Sequence, residues 1–298
     1  LATVTLSVLT VIGFTQEAQA SVLHNGWNYT IDSFNDSTYR TYPGSPTSVG
    51  GGLFEIYGMG MKDDIDNNRI TFAINANLSR DGAVVPVRYG YDHIGWGDLF
   101  IQTASGLLGV NFTNANGSAA GLGVYRVFGT KSVAHLNDGW SSNSSYTNFV
   151  ASRGGNPTLG DLGQHQSPFG NATNSVISSG QWISNLLPGD LSGLDFGRFG
   201  AFGYQTFGFS IDRSLVPSGD LVAWLIQECF NDGIAMLANI PTIIDPPDEP
   251  EKPTIDPPID PPKTTPEPST LIGMIALAAM GVFSTKNQRK NKKLVVNT

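Results

Sequence analysis

The densest cluster of chemistry-bearing side chains is Asp63-Asp64-Ile65-Asp66-Asn67-Asn68. Its Asp-x-Asp-x-Asn core offers the hard oxygen ligands that Ca²⁺ takes, and Asp63, Asp64, Asp66 and Asn68 are the candidate ligands. The pattern is partial. An EF-hand loop begun at Asp64 calls for Gly at its sixth position and Glu at its twelfth, where this chain has Arg69 and Asn75. A solvated, metal-free turn between strands is the default, and no cofactor other than Ca²⁺ is expected. A second candidate is Gly95-Trp96-Gly97-Asp98, where an indole between two glycines could stack on a sugar ring, which makes Trp96 the candidate glycan contact. The competing reading packs Trp96 into a core, where aromatic rings contribute most.

The remaining chemistry is sparse. Asp92, Asp98, Asp190 and Asp195 could pair as glycosidase acid and base, but sequence gives no separation between them, and turn carboxylates are the default. The four histidines, His24, His93, His135 and His165, show no zinc-binding spacing. There is no Gly-x-Ser-x-Gly elbow, phosphate loop or dinucleotide fingerprint. The single cysteine, Cys229, lies in the apolar run Leu225–Phe230, so it forms no internal disulfide and reads as a buried, inert thiol. The expected protein is not an enzyme.

Net charge over the chain is −8. Between Ser21 and Pro241 there are 10 Lys and Arg against 17 Asp and Glu, so the electrostatic footprint of a nucleic-acid partner is missing. Charged residues make up only 14% of the chain while glycine supplies 35 residues, which suits a turn-rich exported fold and argues against a helical bundle.

The elements that would position these groups read as strands. Short apolar segments recur between turns at Leu53–Tyr57, Ile70–Leu78, Val84–Tyr89, Leu99–Thr103, Leu108–Thr113, Leu122–Phe128, Thr206–Ile211 and Leu221–Glu228. Ile70, Phe72, Ile74 and Ala76 fall on one face of the second, which predicts a half-buried strand. Asp81-Gly82 predicts a hairpin from there into the Val84 strand, with Pro86 confining that strand to an edge. Residues 138–181, rich in Ser, Asn, Gly and Pro, read as long loops with no helical period. The fold class expected over residues 21–241 is all-β, a β-sandwich or jelly-roll-like exported domain.

Both ends carry address-like segments. Residues 1–20 read as a signal peptide, with Ala18-Gln19-Ala20 placing cleavage between Ala20 and Ser21. Residues 242–265, with Ile255-Asp256-Pro257-Pro258 and Ile259-Asp260-Pro261-Pro262, read as a disordered, acidic, proline-rich linker that is stiff and extended. There follow Pro266-Glu267-Pro268, a short uncharged span from Leu271 to Phe283 that predicts a single hydrophobic helix, and the cations Lys286, Arg289, Lys290, Lys292 and Lys293.

Taken together, residues 266–293 resemble the PEP-CTERM sorting signal of bacterial exosortase substrates. The resemblance implies that a membrane-embedded cysteine transpeptidase recognises Pro266, Glu267 and Pro268 and removes the helix and tail, after a transient stay in the inner membrane. The blocks Leu53–Met61, Gly95–Phe100, Leu122–Tyr125 and Glu228–Ala235 resemble a cyanobacterial family of exosortase-dependent surface proteins. That likeness implies location and processing and carries over no catalytic residue. The expected role is structural or adhesive, on extracellular polysaccharide or the outer surface; a carbohydrate-binding module assisted by Ca²⁺ and, further off, a glycan-acting hydrolase are the alternatives.

Overall fold

The computed structural model describes residues 22–163 and 166–243. The expected signal peptide with its Ala20/Ser21 cleavage site, the linker, and the sorting segment with Pro266, Glu267 and Pro268 lie outside these residues. Among the described residues no helix is long and apolar enough to cross a membrane.

The first strands in chain order are β1 (Val22–His24), β2 (Trp27–Ile31), β3 (Thr38–Tyr39), β4 (Ser48–Val49), β5 (Ile56–Asp64) and β6 (Arg69–Ala76). Next come β7 (Ala83–Val87), β8 (Gly90–Ile94), β9 (Leu99–Thr103), β10 (Gly106–Asn111) and β11 (Gly123–Lys131), then helix α1 (Asn143–Ser152). The last are β12 (Val176–Ser184), β13 (Leu187–Pro188), β14 (Gln205–Asp212), β15 (Gly219–Ile226) and β16 (Gly233–Ile240). They form two six-stranded antiparallel sheets, ordered β1-β2-β5-β6-β14-β13 and β12-β11-β10-β9-β15-β16, with two-stranded ribbons β3-β4 and β7-β8 beside them.

Strand periodicity explains how the sheets share one core. Side chains alternate across a strand, so Ile70, Phe72, Ile74 and Ala76 of β6 enter the same apolar cluster as Leu99 and Ile101 of β9 and Leu221, Ala223 and Leu225 of β15. The intervening Phe100, Trp224 and Ile226 point to the other side of the second sheet, where Tyr146 and Val150 of α1 and Leu159 and Leu162 cover them. On the outer side of the first sheet, Phe196 and Ala201 cover Trp27, Tyr29 and Ala73.

This cover corrects the expectation that β6 is half-buried. Its second face carries Thr71, Ala73 and Asn75, all buried. β14 pairs along the whole of β6, and Thr71 shares a hydroxyl hydrogen bond with Ser210 at 2.7 Å. The Asn75 side-chain oxygen accepts from Gly203 N at 2.8 Å. The expected hairpin from β6 into β7 is also corrected. Gly82, at φ +76°, turns the chain there, but β6 pairs with β5 and β14 while β7 pairs with β8.

Two further corrections concern composition. Strand β5 extends to Asp64, well beyond the expected Tyr57, because Gly58 and Gly60 are sites of close packing and do not end the strand. A Cβ at Gly58 would stand 2.9 Å from the Phe196 ring, and one at Gly60 would stand 3.1 Å from Leu194. The stretch read as long loops contains α1 and β12. Helix α1 is polar in sequence and depends on its cap: Ser142 Oγ accepts from Ser145 N at 3.1 Å, satisfying an amide that the helix leaves without a partner.

Candidate metal centre

The loop leaving β2 carries Asp32 and Asp36, and the tight turn between β15 and β16 carries Asp232. Phe230, within that connection, has φ +53°, a conformation a bulky side chain rarely adopts. Its ring is fully buried against Tyr146 and Trp224, which holds it there. The fold thus brings Asp232 to Asp32 and Asp36, which lie 200 and 196 positions before it in the chain. One carboxylate oxygen from each lies within 4.8 Å of the others. Asp32 is 5% exposed, Asp36 and Asp232 are 0% exposed, and so is Glu55 beside them.

Backbone and hydroxyl donors hold one side of each acid. Asp32 Oδ1 accepts from Gly160 N at 2.9 Å and from Thr158 Oγ1 at 3.0 Å. Asp36 Oδ2 accepts from Thr158 N at 3.1 Å, so Thr158 braces both acids. Asp232 Oδ2 accepts from Ile56 N and its Oδ1 from Gly233 N, each at 2.7 Å, with the Tyr146 hydroxyl 3.4 Å away. Glu55 Oε2 accepts from Ser37 Oγ at 2.6 Å and Gly51 N at 2.5 Å. Asp32 Oδ2 and Asp36 Oδ1 are buried and have no hydrogen-bond partner among the described residues.

Among the described residues, no Lys, Arg or His forms an ion pair with any of these four acids. Burial therefore pushes Asp32, Asp36 and Asp232 well above the usual carboxylate range, and repulsion from neighbouring carboxyls adds to it. Burial also raises Glu55. Such a cluster either holds protons or holds a cation, because uncompensated ionised carboxylates are costly away from water.

The residues expected to ligate Ca²⁺ lie elsewhere, and the structure uses them differently. Asp63 is engaged by Arg213, whose Nε and Nη2 donate to it at 2.6 and 3.1 Å, with both side chains largely buried. Asp64 closes the β5–β6 turn by accepting from Asn67 N and Nδ2, which hold its carboxyl below the usual range. Asn68, at φ +51°, donates to Asp212, and Asp66 is exposed. Trp96 is 0% exposed, donates from Nε1 to Ser79 O at 2.8 Å and meets Phe207 edge-on, so it presents no ring to a glycan.

Of the four carboxylates considered for glycoside chemistry, Asp92, Asp190 and Asp195 are exposed. Asp98 is buried as a structural tie, accepting from Ile177 N and Ser118 Oγ at 2.7 Å and from Asn116 Nδ2 at 3.1 Å. Sequence reasoning missed Asp32, Asp36, Glu55 and Asp232. The available signal was the Asn231-Asp232-Gly233 turn inside the Glu228–Ala235 block, but nothing in the chain links it to Asp32.

No curated protein and no solved structure matches this chain. The family model of the PEP-CTERM protein-sorting motif matches residues 264–290. The matched residues cover Pro266-Glu267-Pro268, the uncharged span and the first of the basic tail. The chain thus carries a PEP-CTERM protein-sorting motif, which supports exosortase-dependent processing at the membrane and export to the cell surface.

Proposed function

We propose that this protein plays a structural or adhesive part at the cell surface. In this reading the two-sheet domain is a β-sandwich carried on the acidic, proline-rich stalk of residues 242–265, and an exosortase-type transpeptidase removes the segment beyond Pro266-Glu267-Pro268. The released domain joins extracellular polysaccharide or the outer surface. The observation that carries the proposal is the sorting motif at residues 264–290. The scarcity of catalytic groupings in the sequence supports a non-enzymatic role, and a domain with 10 cationic and 17 acidic residues is a poor partner for nucleic acid. The carbohydrate-binding alternative is weaker, since Trp96, the glycan contact it named, is buried.

The test is mass-spectrometric mapping of the C-terminus of protein isolated from the surface fraction of its host, together with Glu267→Ala. Wild-type chains should end near Pro266–Ser269, bare or bearing an adduct that identifies the attachment partner, and Glu267→Ala should accumulate with its tail intact. A mature wild-type chain that keeps Thr298 would overturn the processing step. Unchanged cell adhesion and matrix composition in a strain lacking the protein would overturn the structural role.

A further inference from the structure

We propose that Asp32, Asp36 and Asp232 form a buried Ca²⁺ site that ties the loop after β2 to the turn between β15 and β16. The proposal rests on residues of the β domain alone and stands apart from the sorting signal. Oxygens bound to Ca²⁺ at about 2.3–2.6 Å can be at most about 5 Å apart, and one carboxylate oxygen from each acid lies within 4.8 Å of the others. The second, independent observation is the pair of orphaned oxygens. Asp32 Oδ2 and Asp36 Oδ1 have no partner among the described residues, although buried polar atoms are nearly always satisfied.

The bracing explains why these two atoms are free. Thr158 and Gly160 occupy Asp32 Oδ1 and Asp36 Oδ2, which locks both carboxyls and leaves their other oxygens available for a shared ion. Ile56 N and Gly233 N fix Asp232 across from them, and Oδ2, which accepts only from Ile56 N, keeps a lone pair for a metal. The donor set is all oxygen, which favours Ca²⁺ or Mg²⁺ over metals that seek imidazole or thiolate. Mg²⁺ holds a tighter shell near 2.0–2.1 Å and retains several waters, so a dry, buried cluster suits Ca²⁺ better. With no basic side chain among the described residues paired to the cluster, a divalent cation supplies the charge that burial otherwise demands as protons.

The test uses the full-length chain, stripped with EGTA and titrated with CaCl₂ by calorimetry, with bound metal counted by elemental analysis and thermal unfolding followed with and without Ca²⁺. Wild type should bind one Ca²⁺ per chain and melt about 5–10 °C higher at Ca²⁺ a hundredfold above its Kd. Asp66→Asn should behave as wild type, whereas Asp36→Asn should lose the bound ion and the thermal shift. Should Asp36→Asn fail to fold, the wild-type titration and the EGTA melt decide alone. Absence of bound Ca²⁺ at millimolar concentration, an unfolding temperature indifferent to EGTA, or an Asp36→Asn variant that melts above wild type at neutral pH would each show that protons hold the cluster. An equal shift with Mg²⁺ would overturn the choice of Ca²⁺.

Discussion

Replacing Asp98 with asparagine removes a charge that folding buries, and the size of the effect should depend on pH. Asp98 is 0% exposed, and burial pushes its carboxyl from the ordinary 3.8 to about 6, against the pull of the donors Ile177 N, Ser118 Oγ and Asn116 Nδ2. Because the folded value lies above the unfolded one, the folded state keeps a proton that the unfolded state has released between about pH 4 and pH 6. Wild-type stability from this group therefore falls as pH rises through that window and is level above it. A shift of about two units corresponds to about 3 kcal/mol. The amide brings its own cost. With its NH₂ at the Oδ1 position it keeps an oxygen for Ile177 N and Ser118 Oγ but turns a donor toward Asn116 Nδ2, a loss of about 1–3 kcal/mol.

Asp98→Asn should thus be less stable than wild type by about 1–3 kcal/mol at pH 4, and the deficit should shrink by about 3 kcal/mol by pH 7, closing or reversing. Urea unfolding of both proteins from pH 4 to pH 8 measures this difference. Groups that titrate in both proteins cancel, among them Asp161, which burial also raises to about 6. A stability difference that stays constant with pH, or that widens as pH rises, would refute the reasoning.

Arg213→Met strands Asp63 and frees Pro241 O, which accepts from Arg213 Nη2 at 2.9 Å; urea unfolding should show a loss of about 3–5 kcal/mol, and a change below about 1 kcal/mol would mean the pair behaves as a surface one. Trp96→Ala should cost about 3–5 kcal/mol in the same assay, whereas full stability combined with lost glycan binding would return Trp96 to the surface. Burial pushes the Cys229 thiol well up from its ordinary range, so iodoacetamide should label it only in denaturant; native labelling at the rate of a free thiol would contradict its burial.

Local pattern carried most of what was legible in the sequence. Alternation within Arg69–Ala76 fixed which side chains of β6 enter the shared core, and the apolar runs at β9, β10, β14 and β15 announced their strands, because a face in contact with a core must be apolar at every second residue. The sorting signal was legible for a different reason: it is read as a linear string of motif, span and basic tail, with no fold required. The Asp63–Asn68 turn was visible as a polar cluster between strands, but whether its acids face a metal or Arg213 depends on a residue nearly 150 positions away.

Tertiary structure decided the rest. Strand β5 hid behind glycines whose value is the room they leave for Phe196 and Leu194, and helix α1 behind a polar composition that its Ser142 cap and the packing of Tyr146 make viable. The carboxylate cluster belongs wholly to this class. Asp32, Asp36 and Asp232 are ordinary loop acids in sequence; they become chemistry only where β2 and the β15–β16 turn meet, because the energy of a buried charge depends on what else is buried beside it, and chain order does not record that.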